Sequence, residues 1–244
     1  MKRKKTGGTY ETIKTVIYAV LIAVAVRTFV FEPFNIPSGS MIPTLLIGDY
    51  LFVSKYSYGY SRYSLPFGLP LIPGRILVDE PKRGDVAVFK LPSDNRTDYI
   101  KRVIGLPGDR VQMIDGILYI NGTEVPRQRM PDYVERDEYG NTMRFDQYLE
   151  TLPGGVSHPI IVLSKDRPYN NTREFLVPAG RYFMMGDNRD NSADSRAQVG
   201  YVPLENFVGR ARVLFFSVEG SAHLWEAWKW PWAIRFVRIF QIVH

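Results

Sequence analysis

Val16 to Val26 is an unbroken apolar run, preceded by Lys2 to Lys5 and extended past Arg27 by Phe29, Val30 and Phe31. No other hydrophobic stretch in the chain is long enough to meet a membrane, so this one governs where everything after it can fold. Counted from Thr15 to Phe31, a helix at ~1.5 Å per residue is about 25 Å long. That is short for a hydrocarbon core of about 30 Å, a gap closed if Arg27 snorkels and Phe31 and Phe34 sit at the interface. Before Glu32, six basic residues (Lys2, Arg3, Lys4, Lys5, Lys14 and Arg27) stand against Glu11 and leave +5 of the net +6. The basicity therefore orients a membrane span and gives no support to nucleic-acid binding, which would need a basic face on the folded body. Residues 1–14 are expected in the cytoplasm, 15–31 in a single transmembrane helix of the cytoplasmic (inner) membrane, and the body on the outer face. Ala23-Val24-Ala25 has the small-x-small form of a cleaved signal peptide, but the apolar stretch continues beyond it and Arg27 follows closely.

Directly after the span comes Pro37-Ser38-Gly39-Ser40-Met41-Ile42-Pro43-Thr44-Leu45. Each proline fixes its own φ and biases its predecessor away from helix, while Gly39 permits a backbone angle or close approach that a side chain would forbid. A loop stiff at both ends suits a serine nucleophile, whose hydroxyl reacts only beside a base and a preformed oxyanion site. Ser40 is the candidate nucleophile. The Ser38 hydroxyl and the Ser40 backbone N–H are candidate oxyanion donors. An ordinary Pro/Gly/Ser turn is the competing interpretation of the nonapeptide alone.

With 244 residues and 45% hydrophobic content, the chain can build one large or two modest domains. The absence of cysteine excludes disulfides, thiol catalysis and Cys-ligated zinc or iron–sulfur sites. The body reads as mainly β. Asp49 to Val53, Val86 to Leu91 and Tyr99 to Ile104 have strand composition. Val111 to Ile120 is a hairpin turning at Asp115-Gly116, with Asn121-Gly122 a second such signal. Tyr56 to Pro73 carries four tyrosines and then an apolar run broken by prolines and glycine; it is a loop that either dips into the membrane surface or packs over the core. Residues 123–171 turn polar and read as an inserted smaller domain with loops and a strand at Ile160 to Leu163. The catalytic β core is then 32–122 with 172–222. In the tail, 223–244, Trp225, Trp228, Trp232, Phe236, Ile239 and Val243 share one helical face beside Lys229, Arg235 and Arg238. This suits an interfacial helix or, alternatively, a helix packed on the core, with Pro231 starting or kinking it.

A base for Ser40 is not supplied by an obvious histidine: His158 lies in the insertion, and His223 and His244 in the tail. No Gly-x-Ser-x-Gly elbow or His-Glu-x-x-His motif is present. The Asp187 to Asp194 stretch resembles a calcium loop in composition, but its third position is Arg189 and its sixth Ser192 where glycine is required. A neutral lysine can serve if burial, with no carboxylate partner, lowers its pKa. Strand alternation places Lys101 with Tyr99 and Val103 on one face, and Ile100, Arg102 and Ile104 on the other.

The nonapeptide resembles the nucleophile box of the type I signal peptidases. Arg83 to Phe89, Tyr99 to Asp109 and Gly186 to Arg196 are similar to that family's remaining boxes, in the same order and spanning about two thirds of the chain. The resemblance implies a mainly β, signal-peptidase-like catalytic core and a serine endopeptidase acting on preproteins after small, Ala-X-Ala-type sequences. It makes Ser40 the nucleophile and Lys101 the general base. Ser192 would hydrogen-bond the lysine ammonium, and Asp194 and Arg196 would form a supporting ion pair. Substrate would lie extended beside Pro33 to Ser40 and Asp98 to Lys101, against Phe34, Ile36, Leu51, Val88 and Ile100, with Pro37, Met41, Leu45 and Tyr99 adjoining. Preproteins and membrane lipid are the implied partners, with no cofactor, metal or nucleic acid. The alternatives are a self-cleaving Ser-Lys protease of the SOS-repressor type, disfavoured by the span, and a catalytically inactive peptide-binding relative, disfavoured by intact Ser40 and Lys101.

Overall fold

The computed structural model describes residues 8–136, 141–163, 168–219, 228 and 230–244. The Lys2 to Lys5 cluster, His223, Trp225 and Lys229 lie outside the described residues. The apolar run forms one helix, α1 (Gly8–Phe29), which starts earlier and ends sooner than the expected 15–31. Its 22 residues give a length of about 33 Å, enough for a hydrocarbon core without stretching. In its first turns the Thr12 and Thr15 hydroxyls donate to the Gly8 and Glu11 carbonyls at 2.6 and 2.8 Å, whereas Phe31 is diverted into a strand by its pairing with Ser54.

The chain then lays down β1 (Phe31–Asn35) and β2 (Asp49–Ser54), with β3 (Tyr60–Ser61) in the tyrosine-rich loop pairing with β4 (Arg75–Ile76) just after it. Next come β5 (Val86–Lys90), β6 (Asp98–Gly105), β7 (Arg110–Ile114), β8 (Ile117–Ile120) and β9 (Thr123–Glu124). Asp115 and Gly116 turn β7 into β8 with φ of 48° and 73°, the two positive angles a type I′ turn requires. The insertion is more regular than a loop-rich segment: β10 (Arg127–Arg129), β11 (Tyr133–Arg136), β12 (Thr142–Thr151) and β13 (Ser157–Val162) form one antiparallel sheet around the long β12. Polar alternation along β12 hid this sheet, because only Phe145 and Glu150 of its residues are buried. The chain returns through β14 (Phe175–Leu176), β15 (Arg181–Met185), β16 (Val202–Pro203) and β17 (Phe207–Ser217).

Seven strands form the main sheet in the order β1-β2-β17-β5-β6-β15-β16, and β14-β7-β8-β9 form another. One face of the main sheet packs Met41, Leu45, Leu51, Val53, Val88 and Leu214 together. Burying such side chains supplies roughly 1.5–3 kcal/mol each. The tyrosine-rich loop divides: Tyr58 is buried and donates to Asp85 at 3.0 Å, while Leu71 stays exposed.

The tail is not one amphipathic helix. It has a single turn, α2 (Trp230–Ala233), a 3-10 turn at Phe236–Arg238, and backbone bridges Val218–Ile234 and Val213–Ile242 along β17. The second half of β17 is beyond the reach of β5, which pairs only with Phe207–Arg210. The tail satisfies that open edge, an obligation of buried backbone that outweighs helical periodicity. Val243 ends buried among Met41, Leu45 and Val86, whereas Trp228, Trp232 and Phe236 are exposed.

Candidate active site

The serine turn is a 3-10 turn, Gly39–Met41, entered from an extended Ser38. Met41 and Leu45, both fully buried, anchor it from below. Asn188 holds it from the side: its Nδ2 donates to the Gly39 carbonyl and its backbone N–H to the Ser40 carbonyl, each at 3.1 Å. Gly39 serves close approach, since a Cβ there would sit 3.0 Å from Ile42 Cδ1.

Lys101 comes from β6, with Ala87 of β5 as its cross-strand partner. Its Nζ lies 2.6 Å from Ser40 Oγ and donates to the Ile100 carbonyl at 3.0 Å. The Tyr99 ring centroid is 5.4 Å from the same nitrogen. Burial pulls the Lys101 pKa down to about 8, against an upward pull from Asp194 and Asp187. Each of those carboxylates is committed to an arginine. Arg196 Nε and Nη2 reach Asp194 at 3.0 and 2.8 Å, and Arg102 Nε and Nη2 reach Asp187 at 2.9 and 2.7 Å. The arginine pairs offset the charge that would otherwise hold a proton on the lysine.

Ser192 is buried in the same neighbourhood: a Cβ added to Gly186 would collide with both Ser192 Oγ and the Ser40 carbonyl. Lys101 Nζ bonds Ser40 and Ile100 rather than Ser192. Gly186 N–H and Arg196 N–H both donate to Asp194, which ties the loop carrying Ser192 together.

Above the serine and lysine opens a cleft of about 490 Å³ lined by Phe34, Ile36, Pro37, Ser38, Val88, Tyr99 and Ile100. Met41, Leu45 and Leu51, expected beside a substrate, do not line it; all three are fully buried in the cluster behind, where their apolar surface is removed from water. Both long sides of the cleft are strand edges. β1 ends the sheet, and β15 pairs β6 only over Arg102–Gly105, leaving Asp98 to Lys101 open on that side.

Sequence reasoning missed Asn191 and Ala193, which form the far wall; a polar turn carries no periodic signal to find them. It placed Arg102 on the face opposite Lys101, where it does lie, but did not give its burial: Arg102 is the largest fully buried side chain among the described residues. His158 is buried too, with Nε2 3.6 Å from Glu150 and 3.7 Å from Asp187. Burial and the neighbouring Arg102 pull its pKa down to about 4, and it does not line the cleft.

The arrangement can be compared with known proteins. The family model described as signal peptidase, peptidase S26, matches residues 9–216. The signal peptidase I of Rickettsia typhi is 42% identical over 267 aligned positions, covering 100% of this chain and 98% of the relative. That of Rickettsia conorii is 46% identical, covering 83% and 77%. A solved signal peptidase I from Enterococcus faecalis is 28% identical, covers 54% of this chain and 97% of its own, and has a TM-score of 0.34. A chain that matches the family over 9–216 and resembles its curated members along most of its length belongs to the signal peptidase, peptidase S26, family of serine peptidases.

Proposed function

We propose that this chain is a membrane-anchored endopeptidase that removes signal peptides from exported preproteins, with Ser40 as nucleophile and Lys101 as general base. The observation that carries this is the 2.6 Å contact between Lys101 Nζ and Ser40 Oγ in a buried setting. Neutral Lys101 takes the Ser40 proton as Oγ attacks the scissile carbonyl, then delivers it to the departing amine. The same nitrogen next activates the water that releases the acyl-enzyme. Ser38, extended and exposed at the cleft, donates to the developing oxyanion with the Ser40 backbone N–H. Ser192, Asp194 and Arg196 hold the lysine's surroundings.

The substrate adds as a strand between the open edges of β1 and β6, as sheet-edge recognition works generally. Phe34, Ile36, Val88 and Ile100 leave room for small side chains one and three residues before the cut. The core 32–122 with 172–222 carries this chemistry, and 123–171 is an accessory β unit. α1 anchors the enzyme with its body on the outer face. Linked aromatic rings running Phe31–Phe52–Phe215–Tyr50–Phe216–Trp230 support a membrane-facing side to the sheet. Trp228, Trp232 and Phe236 of the tail are exposed and add apolar surface for a membrane to cover.

Incubation of the detergent-solubilised protein with a preprotein, followed by sequencing of the new N-terminus, tests the reading. Cleavage after an Ala-X-Ala-type sequence supports it; no cleavage by the folded protein overturns it.

A further inference from the structure

The tail segment 234–244 makes more polar bonds to the segment after the Ser40 turn, Thr44 to Asp49, and to Arg102 of β6 than a loosely attached end requires. Arg238 Nε donates to Asp49 Oδ1 at 3.0 Å and its Nη2 to the Thr44 carbonyl at 3.0 Å. Asp49 is fully buried and also accepts from Ser217 Oγ and the Leu46 N–H. Arg235 Nη1 donates to the Ile47 carbonyl at 2.9 Å. Thr44 Oγ1 in turn donates to Asp187 Oδ2, and Asp187 is the partner of Arg102. Arg102 Nη1 closes the circuit by donating to the His244 carbonyl at 2.8 Å. The ring therefore runs from the tail through the residues that follow Ser40, across to the residue that follows Lys101, and back into the tail. Val243, in the same segment, is buried in the hydrophobic cluster that also holds Met41, Leu45 and Val86.

We propose that this C-terminal segment is a positioning element for catalysis: Arg238 and Val243 lock the Ser40 turn and the Lys101 strand into one rigid frame. The inference rests on the Ser40–Lys101 assignment. It also reverses an expectation for the tail. As a surface anchor alone it would be dispensable for a short soluble peptide; as a latch it would not be.

The groups facing Lys101 Nζ fix what loosening should do. They are Ser40 on its turn, the Tyr99 ring on β6, and Asp187 and Asp194 after β15, each carboxylate held by its arginine. A gap between turn and strand admits water, which favours the charged lysine, and lengthens the Ser40–Lys101 contact. Both effects act on kcat, because Phe34, Val88 and Ile100, the cleft walls carried by β1, β5 and β6, keep their strand pairing.

The experiment uses the full-length, detergent-solubilised enzyme with a short soluble peptide. Arg238→Ala and Val243→Ala should each lower kcat near neutral pH by about tenfold to a hundredfold, as small misplacements of catalytic groups do, with KM within about twofold. The midpoint of the kcat–pH profile should move upward, by at least about half a unit, and part of the loss should return at alkaline pH. Arg238→Lys, which keeps one charged donor, should recover part of both changes. Val237→Ser, on the exposed side of the same segment, should leave kcat and midpoint unchanged. Wild-type kcat and midpoint in folded Arg238→Ala and Val243→Ala overturn the proposal. So does a loss of titratable active sites with an unmoved midpoint, which marks a fold stabiliser only. If Arg238→Ala does not fold, Val243→Ala, which keeps every polar bond, decides alone on the same readouts. Lys101→Arg is run in parallel: turnover by that variant removes the dyad itself, whereas an inactive Lys101→Arg with wild-type tail variants removes only the latch.

Discussion

Arg102 and Asp187 meet in a two-bond ion pair, Nε to Oδ1 at 2.9 Å and Nη2 to Oδ2 at 2.7 Å, one residue along the strand from Lys101. Neither side chain is more than 1% exposed. Arg102→Met leaves Asp187 as an unpaired buried charge, so it should destabilise the protein by about 3–5 kcal/mol. It should also raise the Lys101 pKa, because Asp187 is then unscreened. Denaturant titration of the solubilised enzyme reads the first effect, and a loss below about 1 kcal/mol contradicts it.

The dyad makes its own demand. Ser40→Ala and Lys101→Ala should each reduce cleavage to near background, and the double variant should be little worse than either, since residues acting as a unit are not additive. Lys101→Arg should be as inactive as the alanine change, because a guanidinium keeps its proton in proteins. Ser38→Ala should raise the barrier by about 2–4 kcal/mol, the usual effect of one oxyanion donor. Initial rates on a preprotein check all five variants; substantial turnover by Lys101→Arg would falsify the general-base role.

The pH dependence follows from a lysine held at about 8 by burial. Below that value Lys101 is protonated and cannot accept from Ser40, so activity should climb with pH along one ionisation near it. Stability moves the same way. The unfolded chain binds the lysine proton more tightly than the folded one, with 10.5 against about 8. Stability therefore rises from pH 8 upward, and the burden is full below that. Lys101→Met should make the protein more stable at neutral pH by up to about 3 kcal/mol, with the advantage shrinking in alkali. Melting curves of both proteins from neutral to alkaline pH decide it: a Met variant no more stable at neutrality rejects the buried, destabilised lysine.

Topology can be read directly. With Lys2 to Lys5 before the span, protease added outside spheroplasts should digest the body and spare the N-terminal end. Protection of the body in intact spheroplasts would reverse the orientation.

Much of this was legible in the residues. Period-two alternation found β6 and put Lys101 on its strand, and Asp115-Gly116 marked the β7–β8 hairpin turn without help from the rest of the chain. The serine turn announced itself through two prolines. What stayed hidden was non-local. Nothing in the sequence near Arg102 says that Asp187, 85 residues on, will accept its guanidinium, so alternation gave the face of this arginine and not its burial or its partner. The tail failed for a related reason: its helical spacing is real, but the open edge of β17 claims the backbone first. Met41, Leu45 and Leu51 were assigned to the cleft by adjacency, and only packing could show that they lie behind it.

The alternation that separates Lys101 from Arg102 has a consequence for how the enzyme can fail. One side chain reaches Ser40, and its neighbour reaches Asp187 on the other side of the strand. A slip of β6 by a single residue against β5 would exchange the two faces wholesale. It would deliver a permanently charged guanidinium to the nucleophile and bury an amine against a carboxylate. Such a chain would keep its hydrogen-bonded ladder, its composition and most of its compactness, and would have no base at all. Strand register is here a chemical variable as much as a geometric one: assays of folding alone would pass a misregistered molecule that only turnover would reject.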